Sequence, residues 1–543
     1  MSKVAEYLRE HIVGEVSTNT SARRFYSTDG SVFSVMPQIV IYPRSTDDIR
    51  KVARFSWQLA EKGKVVPITA RGAGTDQGGA ALGEGIVLVF PVHMNKLLEL
   101  DTKKNFARMQ PGINYRNFQD TIKTHNRFLP PYPSSVDIST IGGAVANNAA
   151  GSRTVKYGCT RDYVNGLRVV LANGELIETR RLSKRELNHK KGLATFEGEI
   201  YRQIDGLITD NWDLIHSAHK DVSKNSAGYD LMDVKRSDGS FDLTPLFVGS
   251  QGTLGIITEI ELAITTNNMN RSLMVAGFTS IDQADSVVQD ILKLKPATVE
   301  MVDYHLLEFI NKHYPNQLKG LLEPPFPKIL LLIEFDDFGK SIQAKKIKKL
   351  SKILRNVTND FQVSTDYDER EELWKIRHSA AAVIAHTEGT KKSLPIIEDG
   401  VVPQEKFQEY VHGIYELFKK YNLDVAVWGH AGNANLHMQP ILDLAEVGDR
   451  QKVFKIMDEY YQMVIQLGGS TAGEHSDGRL RAPYLPGLYG EEIYKIFEAT
   501  KKVFDPWGTL NPGVKLGVTR EDQKRMLRNE YNMDKLGIYT TRM

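Results

Sequence analysis

The chain is 543 residues long, well past the roughly 250–300 residues at which a single core stops growing, so two or three domains are expected. Hydrophobic residues make up 41% and charged residues 25%, the balance of an ordinary soluble fold, and a net charge of +2 gives no overall pull toward nucleic acid. One cysteine, Cys159, excludes an intrachain disulfide and any iron–sulfur cluster held by this chain's own thiolates.

No stretch approaches the roughly 18 apolar residues of a membrane span. The opening MSKVAEYLREHIVGEV is broken by charge too often for a signal peptide. Residues 3–16 read as a short amphipathic helix. From Ile39 to about Leu262, β-branched runs alternate with glycine-rich turns and helices: IVIYP (39–43), KVVPIT (64–69), GIVLVF (85–90), LRVVLANGE (167–175) and GIITEIEL (255–262). The segment 45–63 opens on a Ser45 cap with acids in its first turn and closes at Gly63, which makes a helix.

KVVPIT runs into ARGAGTDQGGAALGEG (70–85). The dinucleotide fingerprint G-x-G-x-x-G must open a helix. Here the third glycine comes one residue late, at Gly78, and a strand follows. An NAD site is therefore not expected, and the choice lies between a plain β-turn and a different phosphate cradle. In PSSVDISTIGGAVANNAAGS (133–152), Thr140 can cap a helix starting at Ile141, whose free amides attract phosphate. The many small residues there, among them Gly142, Gly143, Ala146 and Gly151, leave room for something large and flat, or for a tight helix contact. FVGSQGTLGIITEIEL (247–262) sets Gly249, Gly252 and Gly255 before a strong strand. Three such stretches in one domain point to one extended cofactor bearing a pyrophosphate.

Between about 272 and 440, strands MVAGF (274–278), ILLLIEF (329–335) and VAVW (425–428) alternate with helices near 282–294, 340–355 and 403–420. This predicts a second domain, an antiparallel sheet with helices on one face. The helix QAKKIKKLSKILR (343–355) reads as a solvated basic face, or as a docking face for a membrane or partner. WGTLNPGVKLG (507–517) is expected to return to the first domain. The expected division is 1–265, 266–500 and a returning segment 501–543.

The hairpin GHAGNANLH (429–437) places two histidines seven apart. A turn centred on Asn433 and Ala434 pairs residues whose numbers sum to 867, setting His430 opposite His437. Directly opposed Cβ atoms lie about 5 Å apart, close enough to share a metal ion, or to form a structural pair. In GGSTAGEHSDGRLR (468–481), Glu474 completes two histidines and a carboxylate, provided the backbone bends near Gly473. His475 is then free to act as a base.

RGAGT (71–75), DISTIGGAVANNAAGS (137–152), KNSAGYDL (224–231) and VGSQGTLGIITEIEL (248–262) resemble, in order and spacing, the flavin-binding domain of the vanillyl-alcohol oxidase superfamily. The resemblance covers nearly the whole chain. It implies an α+β fold, a two-subdomain FAD-binding domain with mixed sheets and a cap domain whose antiparallel sheet is covered by helices. It places FAD along Arg71, Gly72, Ala73, Gly74, Thr75, Thr140, Ile141, Gly142, Gly143, Ala146, Asn148, Gly151 and Gly252, with the adenine end near Ile257. Thr75 stands where covalently flavinylated members often carry histidine, so FAD is expected without a covalent link.

GHAGNANLH with GEHSDGR is similar to the branch of FAD-dependent D-2-hydroxy acid dehydrogenases acting on D-lactate, D-2-hydroxyglutarate or glycolate. That likeness implies a divalent metal (zinc, manganese or iron) on His430, His437 and Glu474, with His475 as base. It also implies Asn435 beside the flavin and Arg377 on the substrate carboxylate. Read without the branch, Arg377 is a surface helix charge. Ile397 stands where 2-hydroxyglutarate-oxidising relatives tend to carry a lysine, so a second carboxylate loses that partner unless Lys391, Lys392, Arg479 or Arg481 supplies it. Ser476 follows the base where many relatives have glycine. The expected activity is FAD-dependent oxidation of a small D-2-hydroxy acid, D-lactate first, to the 2-oxo acid. Electrons then pass to a separate acceptor, a quinone, flavoprotein or cytochrome. A homodimer is allowed, and the expected location is cytoplasmic or peripheral at the membrane. The rivals are a non-redox transferase resembling alkylglycerone-phosphate synthase and a flavin-carrying subunit of a larger oxidase complex.

Overall fold

A computed structural model describes residues 2–384 and 387–532. The end of the expected returning segment, 533–543, lies outside the described residues.

The first domain is built around two main sheets, with a two-stranded pair of Arg127–Phe128 and Thr265–Thr266 beside them. In one, strands Ile39–Tyr42, Ile86–Val89 and Ile68–Arg71 run parallel, and Glu15–Ser17 adds an antiparallel edge. The sequences IVIY and IVLV carry no alternation because a parallel sheet is covered on both faces. The helix Thr46–Glu61 makes the crossover after the first of these strands. Ser45 caps it by accepting from the Asp48 amide, and Ile49, Val52 and Ala53 face the core.

The second sheet orders strands Leu97–Asp101, Phe106–Met109, Ile256–Ala263, Val164–Val170 and Leu176–Thr179. Every pairing in it is antiparallel. Mixed sheets were expected in both subdomains, but only the first is mixed. Strand Ile256–Ala263 shows the reason, since buried and half-buried residues alternate along all eight positions, as they do when one face is packed and the other is open.

The cap holds a six-stranded antiparallel sheet in the order Phe361–Ser364, Ser272–Phe278, Ile329–Phe335, Thr298–Asp303, Val427–His430, Asn435–Met438. Helices Ile281–Lys293, Lys340–Leu354, Phe407–Lys420 and Val447–Gln466 pack on one face. Helices Tyr304–His313 and Tyr367–His378 pack on the other, against Leu330, Leu332 and Trp428. The expectation of helices on one face alone is corrected. ILLLIEF is buried at all seven positions, which an open face does not permit.

The chain returns to the first domain through helix Glu491–Phe504, whose Ile493, Ile496 and Phe497 join the core of the five-stranded sheet. Beyond it, Asn511 accepts from Thr69 Oγ1 and donates to the carbonyls of Ala80 and Gln251, tying the C-terminal segment to the glycine-rich loop.

Candidate active site

A cleft runs along the first domain and ends at Glu474 and His475. Its wall carries Arg71, Gly72, Ala73, Gly74, Thr75, Thr140, Gly142, Gly143, Ala146, Gly252 and Ile257. Three residues expected there do not line it. Ile141 is buried in the core. Asn148 is fully buried in a left-handed conformation at the end of helix Ile141–Asn147, where its side-chain oxygen takes the Arg161 amide. Gly151 lies against the Tyr132 carbonyl.

The loop and this helix approach closely, since a Cβ on Gly72 would overlap Thr140 Oγ1. Thr140 caps the helix by accepting from the Gly143 amide. The amides of Ile141 and Gly142 already donate to the carbonyls of Ile113 and Pro111, so the free donors expected at the helix start are spent. The amides of Gly72, Ala73, Gly74 and Thr75 meet no protein acceptor among the described residues. The unspent donors are therefore those of the loop rather than those of the helix. A narrow trough of small residues with four unspent amides suits an extended pyrophosphate. Asp76, which the sequence reading overlooked, closes the loop by accepting from Asn147 and the Ala80 amide. At the far end, strand Ile256–Ala263 bulges immediately after Ile257.

The histidine hairpin has a different register from the expected one. His430 pairs with Asn435, and His437 with Trp428, so paired numbers sum to 865. The turn is a four-residue one, 431–434, with Ala434 left-handed at φ 48°. A shift of two residues preserves faces, because side chains alternate with a period of two. His430 and His437 still share one face and meet diagonally, ring centroids 5.1 Å apart and edge to face.

Glu474 arrives from the loop after helix Val447–Gln466. Asp399, itself left-handed at φ 67°, accepts from the backbone amides of both Glu474 and His475. That wrapping bends the chain, so two consecutive side chains reach one end of the cleft. His430 Nε2 and His437 Nε2 are 3.3 Å apart, and each lies 3.2 Å from Glu474 Oε1. Donors about 2.0–2.2 Å from one ion stand roughly 3.0–3.5 Å from each other, so this near-equilateral triangle fits a single divalent cation. The opposite ring nitrogens are held by carboxylates: His430 Nδ1 by Glu300 at 2.6 Å, His437 Nδ1 by Glu398 at 3.3 Å. Such bonds fix the tautomer that leaves Nε2 with a lone pair.

Two further groups meet Glu474 and His475. Lys224, fully buried, places Nζ 2.8 Å from Glu474 Oε2, leaving Oε1 to the histidines. Burial pushes the Glu474 carboxyl up, but Lys224 and His430 outweigh it and hold it well below the usual range. His475 Nδ1 lies 3.0 Å from both Glu398 oxygens. Burial lowers the imidazole, yet Glu398 and Asp399 raise it to about 10.

Arg377 stands in the last turn of helix Tyr367–His378 and does not line the cleft. Its Nε donates to Glu300 Oε2 at 2.7 Å, extending the chain Arg377–Glu300–His430. Its terminal nitrogens meet no acceptor among the described residues. Asn435 is fully buried, its amide nitrogen on Asp399 and the Gly400 carbonyl. Arg479 is spent on the Leu82 and Pro512 carbonyls, and Arg481 on Glu398, Tyr461 and the Ser476 carbonyl. Neither has a free fork for a second substrate carboxylate. The sequence reading missed Glu300, Glu398, Asp399 and Lys224. A signal existed for three of them: carboxylates set inside the apolar runs TVEMV and IIEDGVV must be partnered.

Residues 268–514 match the FAD linked oxidases, C-terminal domain family, and residues 37–180 match the FAD binding domain family. The glycolate oxidase subunit GlcD of Bacillus subtilis is 32% identical over 501 residues, covering 91% of this chain and 92% of that protein. A D-2-hydroxyglutarate dehydrogenase of Pantoea ananatis is 29% identical, covering 92% of this chain and 50% of that one. A D-lactate dehydrogenase of Anaerostipes hadrus is 28% identical, covering 88% and 89%. The chain thus spans about half the length of the D-2-hydroxyglutarate dehydrogenases it matches. Among solved structures, 4-ethylphenol oxidase from Gulosibacter chungangensis shares the fold, with a TM-score of 0.70 at 15% identity, covering 96% of this chain and 98% of that one.

Proposed function

The chain belongs to the FAD-linked oxidase family, and we propose that within it this chain oxidises a small D-2-hydroxy acid, D-lactate before others, to the 2-oxo acid. The observation that carries the reading is the triangle of His430, His437 and Glu474, with His475 beside it, at one end of a cleft shaped for an extended flavin cofactor. The loop 71–75 would hold FAD without a covalent link, and FAD would supply the hydride acceptor for the reaction. A divalent cation on the three ligands, whether zinc, manganese or iron, supplies the charge that makes the α-hydroxyl acidic.

The chain's own residues do the rest. Arg377 turns its unspent terminal nitrogens to the substrate carboxylate in a bidentate fork while Nε keeps Glu300 on His430. His475, oriented by Glu398 at Nδ1, takes the hydroxyl proton on Nε2. Glu398 and Asp399 favour the imidazolium form of His475, and a cation held by the neighbouring ligands would oppose them. Lys224 keeps Glu474 to one ligating oxygen. Arg479 and Arg481, two of the four candidate partners for a second carboxylate, are spent on the protein, which favours a substrate with one carboxylate over a dicarboxylate such as 2-hydroxyglutarate. Electrons would leave to a separate acceptor, a quinone, flavoprotein or cytochrome.

The test is a panel of D- and L-2-hydroxy acids assayed with an artificial dye as acceptor. The reading expects D-lactate or a similar small D-acid to reduce the dye, with 2-hydroxyglutarate slower. Dye reduction by no 2-hydroxy acid overturns it and favours the non-redox transferase. An assembled oxidase complex that keeps its turnover after His475→Ala favours a flavin-carrying subunit instead.

A further inference from the structure

The helix Lys340–Leu354 has six lysines and no acidic residue among its fifteen positions. Gln343, Leu350 and Leu354 are buried and seat it on the cap. Lys346 is turned inward, its Nζ on Asp337 at 2.9 Å and on the Lys295 carbonyl at 3.2 Å. Lys345, Lys348, Lys349 and Lys352 are all exposed and stand at i, i+3, i+4 and i+7, one outward stripe along two turns. None of the four forms an ion pair among the described residues. Like charges at these spacings repel within the helix, so the pattern costs stability and asks for an outside counter-charge. Helix Ile281–Lys293, by contrast, carries Asp282, Asp285 and Asp290 with the single base Lys293. With 69 basic against 67 acidic residues in the whole chain, the stripe is a local concentration and not the reflection of a basic protein.

A second observation lies at the N-terminal end of the same face. Ile342 continues the stripe one turn before Lys345 and is 49% exposed, and Phe338, just ahead of the helix, is 69% exposed. Cations backed by exposed apolar side chains are the chemistry of an anionic bilayer surface: the ammonium groups meet headgroup phosphates while the aromatic and branched side chains enter the acyl boundary. The cations on the stripe are lysines, point charges without the planar fork that shape-specific partners read. Protein interfaces deplete lysine. We propose that this face docks the chain on a membrane leaflet containing anionic phospholipid. The docking does not depend on what the active site oxidises.

The experiment is flotation of the full-length, FAD-loaded protein with vesicles of phosphatidylcholine containing three parts in ten phosphatidylglycerol, against vesicles of phosphatidylcholine alone. The protein is expected to float with the anionic vesicles only, and to be released as salt shortens the screening length. The Lys345→Gln/Lys348→Gln/Lys349→Gln/Lys352→Gln variant is expected to lose at least about a hundredfold in partitioning. Phe338→Ser/Ile342→Ser is expected to lose about tenfold or more. Unchanged circular dichroism, FAD content and dye-linked activity in both variants exclude misfolding as the cause. Equal binding to neutral vesicles, or a quadruple variant that partitions like the wild type, overturns the proposal. A wild-type protein that ignores both kinds of vesicle also overturns it and assigns the face to an acidic protein.

Discussion

Lys224 and Glu474 form a pair buried at 0% and 6% side-chain exposure, 2.8 Å apart, and Glu474 is itself one corner of the triangle with the two histidines. Removing one member of a buried pair leaves an uncompensated charge, at a cost of about 3–5 kcal/mol. Lys224→Met is therefore expected to lower the unfolding free energy of the metal-free protein by that amount in denaturant titration. Adding Glu474→Gln should recover part of the loss, because no bare carboxylate then remains. If Lys224→Met is neutral on its own, the pair is not buried as described. His475 carries a different expectation, because it faces the cleft with Nδ1 tied to Glu398. His475→Ala should slow reduction of the bound flavin by D-lactate about 10²–10⁴-fold, the usual span for a general base. Stopped-flow absorbance reads that rate, and FAD content should stay unchanged.

Two elements meet at the cradle, the loop after strand Ile68–Arg71 and the helix Ile141–Asn147. Their approach is set by Gly72 against Thr140 Oγ1. Gly72→Ala forces them apart and is expected to weaken FAD binding at least about tenfold. Thr140→Ala added to it removes the overlapping oxygen and should restore much of the affinity, less the loss of a helix cap worth about 1 kcal/mol. Fluorescence titration of the apoprotein measures both. The helix cap, the strand ILLLIEF and the parallel core strands were legible in the sequence because each is dictated locally, by a capping side chain or an unbroken apolar run. The hairpin register was not. Residues Ala431–Ala434 make a turn of four in which Ala434 takes a left-handed conformation that residue type rarely signals. The two histidines still met because the error was an even number of residues. For Glu300, Glu398 and Asp399 the apolar runs signal that a partner is needed but not which one: the partners lie between 36 and 130 positions away, so no spacing rule connects them.

Over the whole molecule, the cleft lies in the first domain while two of the three proposed metal ligands hang from the cap sheet, and Glu474 comes from the loop between them. FAD is expected to stabilise the fold as any ligand of the native state does, by about 2.7 kcal/mol at a hundred times its dissociation constant. A thermal unfolding midpoint that does not move with added FAD would contradict that. Ion pairs from Arg153 to Glu334 and from Lys156 to Asp336 bridge first domain and cap, so the two parts are coupled and the site is assembled across them. The proposed oxidation requires a cation held by His430, His437 and Glu474. It is tested most directly by adding D-lactate without oxygen to the FAD-loaded protein, before and after the metal is stripped by a chelator, and following flavin absorbance. Rapid bleaching is expected with the cation in place, none after stripping, and recovery when zinc or manganese is restored. Equal bleaching with and without the cation would contradict it.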